Sequence, residues 1–362
     1  METTPIIPDD FNPDGVGAKG SLFGLPFTPD NARLVLIPVP WEVTVSYTAG
    51  TARGPEAILN ASSQVDLFVN DVSDAWKYGV AMLPIPEDIA ALGDALRLES
   101  DAYIRALEEG TLNESSPESE RILAKIDEGC ARMVAWVKNT AADWREKGKQ
   151  IALVGGDHST PLGLITDLAT EHDAFGILQI DAHADLRQAY EGFTFSHASI
   201  MYNALKLEQV EKLVQVGIRD YCEQEARLAD DNDRVTTHYY SALANRRFQG
   251  ETWHSICESI VADCPQKVYI SFDIDGLDPK LCPNTGTPVP GGFEFEEVNY
   301  LLTRLVASGR TIVGFDLNEV SPGSEPDALE TNDWDGNVGA RMLYRMCTLM
   351  AVSQGALKFK SQ

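Results

Sequence analysis

None of the six cysteines (Cys130, Cys222, Cys257, Cys264, Cys282, Cys347) stands in a CxxC pair, so neither a thiolate zinc cluster nor a disulfide frame is indicated and reduced, buried thiols are expected. Positive charge is scarce: 29 Lys and Arg face 55 Asp and Glu, a formal net charge of -26. Such a field repels phosphate, which argues against nucleic acid and anionic membrane as partners; its plainest consequence is solubility. No apolar run is long enough to span a bilayer. The first residues, Met1-Glu-Thr-Thr-Pro-Ile-Ile, lack the basic-then-apolar order of a signal peptide, so a cytoplasmic protein is expected. Neither a low-complexity linker nor an internal repeat divides the chain.

At 362 residues and 44% hydrophobic content, one large α/β domain is the best count. Residues 1–32 are read as an N-terminal arm, irregular or lying on a neighbouring subunit up to about Lys19, and residues 33–362 as a single catalytic domain. Arg33-Leu-Val-Leu-Ile-Pro-Val-Pro reads as a buried first strand closed by prolines, and Pro55 as the first residue of a helix. Residues 88–149 form an extra helical segment, two helices parted by the loop Gly110-Thr-Leu-Asn-Glu-Ser-Ser, with Ser116-Pro117-Glu118 as the second start. Strands are expected at 150–154, 174–180, 212–216, 234–238, 267–272 and 311–316, with helices between most of them. That alternation implies a mainly parallel sheet covered on both faces.

Chemistry is concentrated where apolar strands run into acids or histidine: Leu153-Val-Gly-Gly-Asp157-His158-Ser159, Gln179-Ile-Asp181-Ala-His183-Ala-Asp185 and Ser271-Phe-Asp273-Ile-Asp275-Gly-Leu-Asp278-Pro279. Ligand sites of open parallel sheets gather at the carboxyl ends of strands. Alternate residues of an extended strand share a face, so Asp181, His183 and Asp185 can converge. His158, Asp181, His183, Asp185, Asp273 and Asp275 supply four carboxylates and two imidazoles. Four negative charges match two divalent cations, and hard oxygen ligands favour manganese or a similar ion. Two cations that share carboxylates activate a water between them, which suggests hydrolysis. Asp157 and Asp278 can equally be turn or supporting residues.

The three motifs together resemble those of the ureohydrolases, the family of arginase, agmatinase and related guanidino-group hydrolases. The resemblance runs from about Arg33 to Met350. It implies a three-layer α/β/α fold, a homotrimer or homohexamer, and a binuclear metal centre that turns a guanidino compound into urea plus ammonia or an amine. It also implies that His158, Asp181, Asp185 and Asp273 hold one ion, and Asp181, His183, Asp273 and Asp275 the other. His197 matches the family's loop histidine, a proton shuttle, and Glu319 its guanidinium-contacting glutamate.

Two stretches depart from the usual agmatinase pattern, Asp185-Leu186-Arg187 and His197-Ala198-Ser199-Ile200. Together with Trp41-Glu42-Val-Thr-Val-Ser-Tyr47 they look more like the subgroup that includes guanidine hydrolases, some of which use nickel. Arg187 beside the substrate would disfavour a distal ammonium, or else form a surface salt bridge. A small guanidinium substrate, guanidine first, is therefore expected, with two nickel or manganese ions per subunit. Agmatine or another guanidinoalkyl substrate is the alternative, and a non-catalytic partner subunit the reading from another class. A single-zinc deacetylase on a related fold would not need both Asp185 and Asp275.

Overall fold

In the computed structural model, which describes residues 7–8 and 11–360, strand side chains are apolar on both faces, as burial from two sides requires. Along β1 (Leu34–Val39), Leu34 and Leu36 enter one core, and Val35, Ile37 and Val39 the other. The remaining strands are β2 (Val80–Met82), β3 (Gln150–Gly155), β4 (Phe175–Ile180), β5 (Val210–Val216), β6 (Val235–His238), β7 (Lys267–Asp273) and β8 (Thr311–Asn318). They form one sheet in the order β2-β1-β3-β8-β7-β4-β5-β6, every pairing parallel.

Helices close both faces. The first core takes Ile58 of Gly54–Ser62, Ile256 of Trp253–Asp263, Leu301 of Phe295–Ala307 and Leu343 of Trp334–Ser353. The second takes Leu96 of Glu87–Glu108, Met133 of Pro117–Glu146 and Ile165 of Leu162–Glu171. The result is the three-layer α/β/α arrangement. Seven of the eight strands match runs expected from the sequence. β2 does not, because three residues at a sheet edge carry too little pattern to register.

Leu22, Phe23, Leu25 and Phe27, assigned to an N-terminal arm ending at residue 32, are buried in the chain's own first core. Four large apolar groups spaced this closely are worth more in the core than in a detached arm. Residues 1–6 and 9–10 of that arm lie outside the described residues.

The parallel crossover puts the carboxyl ends of β3, β8, β7 and β4 side by side at the middle of the sheet. Those four ends carry His158, Glu319, Asp273 and Asp181 respectively, so residues more than a hundred positions apart become neighbours. The inserted pair of helices covers the second face. Its second member is capped by Ser116, whose Oγ accepts the Ser119 N–H at 3.1 Å. Replacing Ser116 by Ala is expected to cost about 1 kcal/mol in denaturant unfolding while leaving metal content unchanged.

Candidate metal centre

The second motif does not converge by strand alternation, as the sequence suggested, because β4 ends at Ile180. Beyond it the chain turns on local hydrogen bonds. The His183 N–H donates to Asp181 Oδ1 at 2.6 Å, and the Ala182 N–H to Asp275 Oδ1 at 3.0 Å. Asp185 then takes a left-handed backbone, φ 53°. Strain of this kind persists only where surroundings impose it. Here it turns the Asp185 carboxylate to within 2.9 Å of His158 Nδ1.

The first motif reaches the same place through its glycines. A Cβ on Gly156 would collide with the backbone carbonyl of Trp41, so only glycine lets the two loops cross there. His158 follows, completely buried, with Nδ1 3.0 Å from Asp181 Oδ2 and 3.4 Å from Asp273 Oδ2. Its Nε2 lies 2.9 Å from Ser271 Oγ, which donates to Asp316 Oδ1 at 3.1 Å. A ring held from behind in this way presents a fixed nitrogen in front. In the third motif Asp273 caps a short 3-10 turn, Ile274–Gly276, accepting the Asp275 N–H at 2.8 Å.

All six expected ligands therefore meet. Five of them fall into two overlapping groups, His158 with Asp181 and Asp185, and Asp181 with His183 and Asp275, that could each hold an ion. Asp181 belongs to both. His183 Nδ1 is 2.9 Å from Asp275 Oδ2 and 3.7 Å from Asp181 Oδ1. Asp273, expected to serve both ions, belongs to neither group, although its Oδ2 lies 3.4 Å from His158 Nδ1. Asp157 and Asp278 serve turns instead, accepting the N–H of Ser159 at 3.0 Å and of Lys280 at 3.1 Å.

Electrostatics marks the place as one made for cations. Burial and the charge of Asp181 push Asp185 up to about 7. Burial, then Asp275 and Asp181, raise Asp273 well above the usual carboxylate range. Burial would lower both histidines, yet the surrounding acids carry His158 and His183 well above their ordinary values. Buried acids crowded this closely retain protons for want of a stronger positive charge. His158 Nδ1 and Asp275 Oδ2 are buried without a hydrogen-bond partner. Donor atoms that face one another without pairing are what a metal site consists of, and the mixed imidazole and carboxylate set suits two divalent ions.

A cleft of about 410 Å³ opens onto this cluster, with His183, Asp185, Arg187, Tyr190 and His197 in its wall. His197 Nδ1 lies 3.4 Å from both Thr44 Oγ1 and Ser196 Oγ. Burial, with the neighbouring His183 and His158, lowers its pKa to about 3. Arg187 lies over the Tyr190 ring at 4.7 Å, with Nε 3.7 Å from Glu225 Oε2. Glu319 follows β8 with φ 63° and is no solvated acid: it is 4% exposed and accepts the His158 N–H at 2.8 Å. Burial and Asp157 raise its pKa well above normal. Sequence reasoning missed Glu108, Asp220, Tyr221 and Glu225, which also line the cleft. Glu108 ends an inserted helix, Asp220 and Tyr221 lie on the loop after β5, and Glu225 lies on the helix Glu223–Asp231, with no motif to flag any of them.

A parallel sheet with two linked carboxylate–histidine clusters at its central strand ends defines a metal-dependent hydrolase of the arginase type. The chain belongs to the arginase family, whose model matches residues 32–347. It is 30% identical over 328 residues to an N(1)-aminopropylagmatine ureohydrolase of Thermus thermophilus, covering 91% of this chain and 94% of that one. It is 31% identical to an agmatinase of Halalkalibacterium halodurans over 48% of this chain and 56% of the other. Its fold superposes on the proclavaminate amidinohydrolase of Streptomyces clavuligerus with a TM-score of 0.67 at 20% identity, over 93% and 99% of the two chains.

Because Asp181 serves both groups, Asp181→Ala is expected to lose both ions together. Metal analysis after gel filtration checks this; one ion kept at full occupancy would show that the two groups are independent.

Proposed function

We propose that the chain hydrolyses a small guanidinium compound, guanidine first, to urea and ammonia, using two nickel or manganese ions per subunit. The observation that carries the reading is the pair of clusters joined by Asp181 on the floor of a cleft whose wall holds His197 and Arg187. Bound to His158, Asp181, His183, Asp185, Asp273 and Asp275, the two cations would make a nucleophilic water available near neutral pH.

The remaining steps belong to the protein. Glu319 has one oxygen tied to the His158 N–H, which leaves the other for a planar cation through a charge-assisted hydrogen bond. A buried carboxylate in this position favours a bound guanidinium over a neutral analogue, since only the cation offsets its desolvation. His197 is neutral at pH 7, and with two hydroxyls at Nδ1 its Nε2 is left for the reaction. It can take a proton as water adds to the central carbon and give it to the departing nitrogen. One C–O bond forms, one C–N bond breaks, and the products are urea and an ammonium ion.

The Arg187 guanidinium in the cleft wall favours a substrate without a distal positive charge. A second reading is an aminoalkylguanidine. The names of the Thermus and Halalkalibacterium relatives support it, and so do Glu108 and Asp220 in the same wall, which would attract an ammonium tail. We place the enzyme in the cytoplasm as a homotrimer or homohexamer; its six cysteines are free, which suits a reducing compartment.

The deciding experiment is urea release from guanidine, agmatine, arginine and guanidinobutyrate, with manganese and with nickel in parallel. Guanidine is expected to give the highest kcat/KM, and a clear preference for agmatine would shift the assignment to the second reading. Arg187→Ala is expected to raise kcat/KM for agmatine relative to guanidine by about tenfold. Glu319→Gln is expected to lower turnover by about a hundredfold with two ions still bound; loss of metal instead would make Glu319 a ligand.

A further inference from the structure

Strands buried on both faces are normally apolar throughout. β4 and β5 break that rule with Gln179 and Gln215, both fully buried on adjacent strands at paired positions. A buried primary amide is costly unless its donors and acceptor are all matched. Here they are. Gln179 Nε2 donates to Asp181 Oδ2 at 2.8 Å and to the His183 carbonyl at 3.2 Å. Its carbonyl accepts from Gln215 Nε2 at 2.7 Å, which also donates to the Ala184 carbonyl at 2.7 Å. Gln215 Oε1 in turn accepts from Thr237 Oγ1 at 2.8 Å on β6.

Only one orientation of the two amides satisfies this network. The acceptors Asp181, His183 O and Ala184 O demand nitrogen toward the site, so the chain of donors runs from Thr237 inward to Asp181. Its effect on Asp181 is specific. An ionised carboxylate has about four lone-pair positions. The His183 N–H occupies one on Oδ1 and Gln179 one on Oδ2. Each oxygen keeps a free direction, with Oδ2 3.0 Å from His158 Nδ1 and Oδ1 3.7 Å from His183 Nδ1. One oxygen thus faces each cluster. The same two amides also hold the carbonyls of His183 and Ala184, and so the turn that carries Asp185.

We propose that Gln179 and Gln215, backed by Thr237, are positioning residues that hold Asp181 in its two-faced orientation and so set the affinity of both cation sites together. The inference rests on the two-cation reading of the centre. It explains why two amides sit buried at paired positions of β4 and β5.

The test uses the full-length protein loaded with manganese, with metal content and affinity measured by chelator competition. Gln179→Met keeps the side-chain shape and removes the donor. Gln179→Met/Gln215→Met replaces both partners, so neither amide is left unpaired and the fold is retained. In both variants the affinity for both ions is expected to fall tenfold to a hundredfold, the range about which supporting residues usually act, while the thermal unfolding of the metal-free double variant stays near wild type. Thr237→Val, at the far end, is expected to weaken both ions in the same direction by a smaller factor, and it decides the matter should the double variant not fold. Wild-type affinity in the folded variants overturns the proposal. So does loss of one ion with the other unaffected. Fewer than two ions in the wild-type protein would strike the two-cation reading instead of the relay.

Discussion

Asp181 is buried completely and offers one carboxylate oxygen to each of two histidines. With Asp185, Asp273 and Asp275 around it, the middle of the sheet's carboxyl edge holds far more negative charge than a protein interior tolerates unpaired. The imidazoles of His158 and His183, carried well above their ordinary values by these acids, offset part of that charge, and burial with neighbouring acids still raises Asp185 and Asp273. The site is therefore built at the expense of the metal-free fold. Divalent cations supply what is missing, so their binding and the stability of this edge are linked.

That demand explains the order of the strands. The expected ligands come from three separate chain segments. The sheet order places β3, β8, β7 and β4 side by side, and each contributes at its carboxyl end. The positive φ angles of Asp185 and Glu319 fall at two of those ends. Strain is thus spent where the chain leaves a strand and turns a carboxylate inward, and the apolar layers on both faces hold it there.

Much of this could be read from the residues. Apolar runs of five to seven ending in Asp or His mark both the strands and the ligands, because the same physics that buries a parallel strand leaves its end as the place for polar groups. The turn geometry could not be read: local turns, not strand alternation, bring Asp181, His183 and Asp185 together. Gln179 and Gln215 were equally silent. A glutamine within Ile177-Leu178-Gln179-Ile180 looks like a tolerated exception until its neighbour on the next strand is known. The packed start of the chain at Leu22–Phe27 was hidden by the polar, proline-rich residues around it.

Substrate choice is less legible than chemistry for a physical reason. The metal groups rest on three short motifs, whereas the cleft wall is assembled from Tyr47, Glu108, Tyr190, Tyr221 and Thr287, each on a different segment. The inserted helix Glu87–Glu108 links these parts. Arg97 and Ser100 hold the carbonyl of Val43, and Arg97 also that of Val45, which fixes the loop bearing Thr44 beside His197. At its far end the same helix places Glu108 in the wall. A change in this helix can therefore alter both the surroundings of His197 and the charge of the cleft wall without touching the carboxylate–histidine cluster. Selectivity among guanidino compounds can diverge along that route while the metal centre stays as it is.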